Sequence, residues 1–142
     1  MKRVKEILSS KGGDIWSIGP DDSVYAAIHL LAEKKAGALA VIDGERLIGI
    51  ISERDYARQI ILKGRSSENT LVKEIMSSNV ITTSPGQDIQ SCMQLMTEKR
   101  IRHLPIIDDD KLVGMISIGD LVRAIIADQK STIGDLEKYI SG

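Results

Sequence analysis

The chain has 142 residues, 42% of them hydrophobic and 27% charged, with a formal net charge of −1. That length suits one compact domain with room for a real core, and the near-zero charge gives no global electrostatic argument for nucleic acid or an anionic membrane as a partner. One Trp, three Tyr and no Phe leave little for base stacking, and the single cysteine excludes an intramolecular disulfide and supplies no metal cluster.

In chain order, Val4, Ile7 and Leu8 predict a short amphipathic helix that Gly12-Gly13 ends, because glycine tolerates a left-handed turn. Trp16-Ser17-Ile18 is a short extended piece before Pro20. Ser23 is placed to cap a helix whose apolar positions Val24, Ala27, Ile28 and Leu31 follow the i, i+3, i+4, i+7 pattern. Two apolar, β-branched runs follow, Ala38–Ile42 and Leu47–Ser52, and Asp43-Gly44-Glu45 between them signals a hairpin. A second helix is expected over Glu53–Leu62, then a polar linker from Lys63 to Thr70.

The same series then recurs. Val4-Lys5-Glu6-Ile7 returns as Val72-Lys73-Glu74-Ile75, and Gly49-Ile50-Ile51-Ser52-Glu53-Arg54-Asp55 as Gly114-Met115-Ile116-Ser117-Ile118-Gly119-Asp120. Pro20 matches Pro85, Leu39 matches Leu104, and Arg58 matches Arg123. Asp88 replaces Ser23 as the cap, with Ile89, Cys92, Met93 and Met96 as the apolar stripe. Identical spacing from different residues marks that stripe as core, so Cys92, whose counterpart is Ala27, reads as a buried structural thiol. Leu104–Ile107 and Leu112–Ser117 form the second hairpin about Asp108-Asp109-Asp110, an acidic triplet read as a solvated turn in preference to a cation site. A helix over Ile118–Ala127 closes the copy, and Ile133, Leu136, Glu137 and Ile140 suggest a separate short helix after it.

The expected fold class is therefore α/β, a tandem pair of β-α-β-β-α repeats packed about a pseudo-two-fold axis. Repeat one covers 1–66, repeat two 67–128, and a helical tail 129–142. Each repeat alone would be marginal in stability. The charged N-terminus lacks an apolar run behind it, and no stretch approaches the ~20 apolar residues of a membrane span. A cytoplasmic protein is the expectation.

Ser52-x-x-Asp55 and Ser117-x-x-Asp120 sit where a strand gives way to a helix. One reading is a capping box, in which the Ser oxygen accepts from the third N–H and the acid reaches back to the cap. The other is a ligand site, because free N–H groups at a helix start attract phosphate and a nearby Asp can accept the hydroxyls of a ribose. A carboxylate with two oxygens can do both.

The ordered set of Ser84-Pro85 before a helix, Arg102-His103-Leu104-Pro105-Ile106-Ile107-Asp108, and a hairpin ending in Gly-x-x-Ser-x-x-Asp, matched in order by the first copy from Gly19-Pro20 to Asp55, resembles the CBS domain named after cystathionine β-synthase. The likeness runs from about Val4 to Ala127, and small stand-alone CBS pairs (Bateman modules) are the nearest in kind. It implies clefts that bind adenosine nucleotides such as AMP, ADP, ATP or NAD(H), each borrowing from both copies. Carried onto this sequence, one cleft would use Ser52, Arg54 and Asp55 with adenine against Asn79, Val80 and the Arg102-His103-Leu104 stretch. The other would use Ser117, Gly119 and Asp120 with adenine against Ile15, Ala38 and Leu39. Arg54, Arg102 and His103 make the Asp55 cleft the expected home of the more heavily phosphorylated ligand, and the Asp120 cleft the one poorer in cations. The resemblance also implies a homodimer.

No Gly-x-Ser-x-Gly elbow surrounds Ser52 or Ser117, and His29 and His103 lack the spacing of a zinc site. No catalytic residue, catalytic cofactor or metal ligand is therefore assigned. The leading expectation is a regulatory module sensing adenylate or NAD levels, with an unknown client protein and neither nucleic acid nor membrane as partner. The rival is an interaction scaffold with vestigial clefts; intact Asp55 and Asp120 favour the sensor.

Overall fold

In the computed structural model, residues 2–12 and 14–141 are described; Gly13, expected to help end the first helix, lies outside them. Helices α1 (Val4–Lys11), α2 (Val24–Lys34), α3 (Glu53–Tyr56), α4 (Val72–Ile75), α5 (Ile89–Lys99) and α6 (Ile118–Ser141) alternate with strands β1 (Ser17–Ile18), β2 (Ala38–Asp43), β3 (Arg46–Ser52), β4 (His103–Asp108) and β5 (Lys111–Ser117). The two expected caps are in place. Ser23 Oγ accepts from the Ala26 N–H at 3.0 Å, and Asp88 Oδ1 accepts from the Ser91 N–H at 2.6 Å. Both helices then run eleven residues and stop on a left-handed residue, Lys35 (φ 53°) after α2 and Arg100 (φ 55°) after α5.

The chain forms two compact units, Ile15–Ile81, and Met1–Asp14 together with Thr82–Gly142. The opening helix of each repeat is thus exchanged. Helix α1 belongs with the second hairpin, and α4 with the first. The reason lies in backbone hydrogen bonding, since the first N–H groups of a helix need acceptors from outside it. Val4 and Lys5 donate to the carbonyls of Gln87 and Pro85 at 2.9 and 3.0 Å; Val72 and Lys73 donate to those of Asp22 and Pro20 at 2.9 and 3.0 Å. The Pro20 and Pro85 turns, matched in sequence, are the matched docking points.

In the first-repeat unit, β1 pairs parallel with β2 and β2 antiparallel with β3, in the order β1-β2-β3. Its core joins Val24, Ala27 and Leu31 of α2, Leu39 and Val41 of β2, Ile51 of β3, Ile60, and Val72 and Ile75 of α4. Burying an aliphatic side chain of this size contributes roughly 1.5–3 kcal/mol. The second-repeat unit buries Val4, Ile7, Ile89, Cys92, Met96, Leu104, Ile106, Ile116 and Leu121. Cys92 has the structural environment expected of it. Its Sγ lies 3.3 Å from Thr83 Oγ1, and burial pushes the thiol pKa up, away from reactivity.

Three expectations need correction. The opening strand of the second copy shrinks to one parallel bridge, Thr83 to Ile106, leaving β4-β5 as a two-stranded sheet. The helix expected over Glu53–Leu62 is four α-helical residues followed by a π-helical turn, Ala57–Ile61, in which the Leu62 N–H reaches back to the Ala57 carbonyl. The separate C-terminal helix does not exist as such, because α6 continues unbroken for 24 residues from Ile118. No Pro interrupts it, and Gly134 is an isolated glycine that an otherwise good helical stretch absorbs at a cost of about 1 kcal/mol. Among the described residues no helix is long and apolar enough to cross a membrane.

Candidate functional site

The two hairpins end alike. In each, Ser and Asp close a reciprocal capping box. The Ser52 N–H donates to Asp55 Oδ2 at 2.9 Å, and the Asp55 N–H donates to Ser52 Oγ at 3.2 Å. The Ser117 N–H donates to Asp120 Oδ2 at 2.8 Å, and the Asp120 N–H donates to Ser117 Oγ at 3.1 Å. The cap reading is therefore realised twice. What remains open to a ligand is whatever each carboxylate has left over.

Glycine sets the backbone beneath each box. A Cβ on Gly49 would meet Met76 Sδ at 2.6 Å and the Ser77 carbonyl oxygen at 3.0 Å, and Ile50 and Ser77 exchange backbone hydrogen bonds of 3.0 and 2.8 Å. A Cβ on Gly114 would run into Leu8 Cδ1 of α1. The glycine three residues before each Ser is thus where the exchanged helix presses on the strand.

The candidate residues divide between the units. Ile15, Ala38, Leu39, Ser52, Arg54, Asp55, Asn79 and Val80 belong to Ile15–Ile81. Arg102, His103, Leu104, Ser117, Gly119 and Asp120 belong to the other. Within the first, the register sets Ala38 opposite Ser52 and Leu39 opposite Ile51, and the Glu53 N–H donates to the Gly37 carbonyl at 3.1 Å. Within the second, His103 lies opposite Ser117, and the Ile118 N–H donates to the Arg102 carbonyl at 2.8 Å. Leu39 and Leu104 are fully buried, so their side chains are floor and not lining. Asn79 and Arg102 are exposed; Ile15, Val80, Arg54 and Gly119 are half-buried.

Within its own unit Asp120 has two cations beside it. Lys11 Nζ lies 2.8 Å from Asp120 Oδ2, and Arg123 Nη2 lies 2.7 Å from Oδ1. The same Lys11 ammonium donates to the Met115 carbonyl at 2.7 Å. Burial alone would raise the pKa of Asp120, but the Lys11 ammonium and the Ser117 N–H outweigh it and hold the carboxyl below its ordinary range. Within its own unit, Asp55 has no cation partner among the described residues; its Oδ2 takes the Ser52 N–H and, at 3.0 Å, the Ser52 hydroxyl. His103 is held below the usual imidazole pKa, first by burial and then by Lys11 and Arg102, against the opposing pull of Asp120.

Lys11 and Arg123 were not singled out from the sequence. Lys11 comes from α1, more than a hundred positions from Asp120 along the chain and beside it only because the opening helices are exchanged. A signal was present all the same. The repeat offset that maps Val4 onto Val72 maps Lys11 onto Asn79, a position already of interest. Beside Asp120 lies a cavity of about 270 Å³ lined by Lys2, Glu6, Ile7, Ser10, Lys11, Asp120 and Arg123. A larger groove of about 530 Å³, bounded by Thr82–Ser84 and one side of α5, holds none of the candidate residues.

The family model of the CBS domain matches this chain twice, over residues 4–62 and 72–127. The mitochondrial CBS domain-containing protein CBSX3 of Arabidopsis thaliana is 40% identical over 149 aligned positions, covering 98% of this chain and 72% of that protein. A CBS-domain protein from Burkholderia ambifaria has a solved structure that is 50% identical, with a TM-score of 0.87 over 90% of this chain and 96% of that one. The CBS domain pair of protein MJ0100, solved in complex with 5′-methylthioadenosine and S-adenosyl-L-methionine, is 25% identical, with a TM-score of 0.78 over 87% of this chain and 99% of that one.

Proposed function

Since the chain belongs to the CBS-domain family and carries two copies of the domain, we propose that it is a regulatory module that binds adenosine nucleotides (AMP, ADP, ATP or NAD(H)) and passes their levels on through its shape or assembly. One observation carries the reading. Each copy ends its hairpin in a Ser-Asp box whose carboxylate is only partly buried, at the head of a helix, where a ribose diol could be accepted and a phosphate met by charge. The adenosine ligands named for the MJ0100 pair support the class of ligand. The reading assigns no reaction to the chain.

A second copy of the chain is the proposed assembly partner. Ile126, Ile133, Leu136 and Ile140 on α6, and Ile61 and Leu62 after the π-helical turn, are large apolar side chains left exposed. Exposed apolar faces of this kind, one on each unit, suit a homodimer and a client protein responding to it. Sizing chromatography with and without nucleotide reads the assembly.

The binding itself is tested by thermal shift with AMP, ADP, ATP, NAD and NADH on the wild type, Asp55→Ala and Asp120→Ala. A ligand that binds only the folded state stabilises it by about 2.7 kcal/mol at a hundredfold excess over Kd. At least one nucleotide is expected to raise the midpoint, and at least one of the two substitutions to abolish that rise. Shifts absent throughout, or indifferent to both substitutions, would leave the interaction scaffold as the better reading.

A further inference from the structure

Both oxygens of the Asp120 carboxylate are occupied. Oδ2 takes the Ser117 N–H and the Lys11 ammonium, and Oδ1 takes the Arg123 guanidinium. A ribose diol that engages both oxygens takes them in exchange for contacts to these cations. The counterpart box imposes no such exchange within its unit, because Asp55 is held by Ser52 alone.

The two cations differ in what they tell. Arg123 has Arg58 as its counterpart at the repeat offset and is largely exposed, so it is common to both copies. Lys11 has the neutral Asn79, so the cation peculiar to this half-site is Lys11. Asp120 is only 10% exposed whereas Lys11 is 41% exposed, which makes the ammonium the member of the pair that solvent and a ligand can reach. The neighbouring cavity carries Lys2, Lys11 and Arg123 against Glu6 and Asp120, an excess of one positive charge.

Resting on the nucleotide reading above, we propose that Lys11 is the residue that makes the Asp120 half-site selective for phosphorylated adenosine ligands over uncharged ones. A neutral adenosine that takes the carboxylate strands an ammonium without its anion. A ligand bearing a 5′-phosphate supplies a replacement anion, so Lys11 exchanges one charge-assisted bond for another of the same kind. The ion pair seen between Lys11 and Asp120 is then the resting state of a selectivity gate. The Asp120 half-site is then the phosphate-demanding one of the pair, seen from its own unit.

The experiment measures AMP and adenosine affinity by calorimetry in an Asp55→Ala background, where only the Asp120 half-site reports. Lys11→Met keeps the aliphatic stem and removes the charge. It is expected to leave AMP affinity nearly unchanged, because the two exchanged bonds cancel, and to tighten adenosine by up to about tenfold, the scale of one charge-assisted contact no longer given up. Lys11→Arg is expected to restore most of the preference for AMP over adenosine, which a merely structural role for the stem would not require. Equal changes for AMP and adenosine, or adenosine binding indifferent to Lys11→Met, overturn the proposal and leave the nucleotide reading standing. If the protein with Asp55 and Asp120 both intact binds neither ligand, the nucleotide reading falls and this proposal with it.

Discussion

His103 illustrates how much one side chain's behaviour depends on neighbours from distant parts of the chain. Its imidazole is flanked by Lys11 from α1, Asp120 from α6 and Arg102 from its own segment, and burial with the two cations keeps it neutral below the usual histidine range. The unfolded chain takes up a proton as pH drops through the ordinary value of 6.5, and the folded chain lags behind. Stability attributable to this residue is therefore complete above 6.5 and is lost progressively as pH falls from there towards the lowered folded value. Urea midpoints at successive pH values across that window should decline in the wild type, and His103→Asn should flatten the decline. An identical slope in both proteins would show that other groups set it. The imidazole itself was visible in the sequence as a possible phosphate contact. Its pairing with Ser117 and its closeness to Lys11 were not, since both depend on strand register and on which helix docks where.

Turns and helix ends were the elements most legible in advance, because their chemistry is local. Ser23 and Asp88 cap as expected, and both hairpins carry the same bulge, between Val41 and Ile42 and between Ile106 and Ile107. The turns themselves differ. In the first, Gly44 supplies the positive φ of 63°; in the second, Asp109 and Asp110 both adopt it, at 52° and 61°. A left-handed conformation costs a non-glycine residue roughly 1–2 kcal/mol, less for Asp, and glycine's greater freedom in the unfolded chain takes back about 0.5–1 kcal/mol. Asp110→Gly should accordingly stabilise by about 0.5 kcal/mol, a rise of roughly 1–2 °C in the melting midpoint, whereas Gly44→Asp should lower it. A fall on Asp110→Gly would mean that the carboxylate is holding the turn. The less legible elements were those governed by what surrounds them. The π-helical turn turns Ile60 inward and leaves Ile61 and Leu62 outside, a choice that periodicity cannot make among three consecutive apolar residues. The second copy's opening strand reduces to Thr83 for no reason evident in its own residues.

At the scale of the whole chain, the decisive arrangement is the exchange of opening helices, and duplication itself hid it. Val4-Lys5-Glu6-Ile7 and Val72-Lys73-Glu74-Ile75 are identical, so either segment could by its own chemistry dock against either hairpin. The internal repeat pointed to the fold class and the paired Ser-Asp boxes, and the family resemblance agreed with it; neither said that Lys11 would arrive at Asp120. The exchange makes the second-repeat unit depend on the first eleven residues. They bring Val4 and Ile7 into its buried set, set Leu8 against Gly114, and place Lys11 on Asp120. Deleting residues 1–11 should therefore loosen one unit far more than the other. Loss of buried aliphatic side chains of this kind typically costs 2–5 kcal/mol for each large one removed, enough to take a modest unit close to unfolding. Hydrogen exchange followed by mass spectrometry is expected to show faster exchange over β5 and the start of α6, Gly114 to Leu121. Ala38–Ile51, which rests on α4, should keep more of its protection. Equal acceleration across both hairpins would mean that the units fold as one cooperative body, and that α1 stabilises the whole and not the unit it completes.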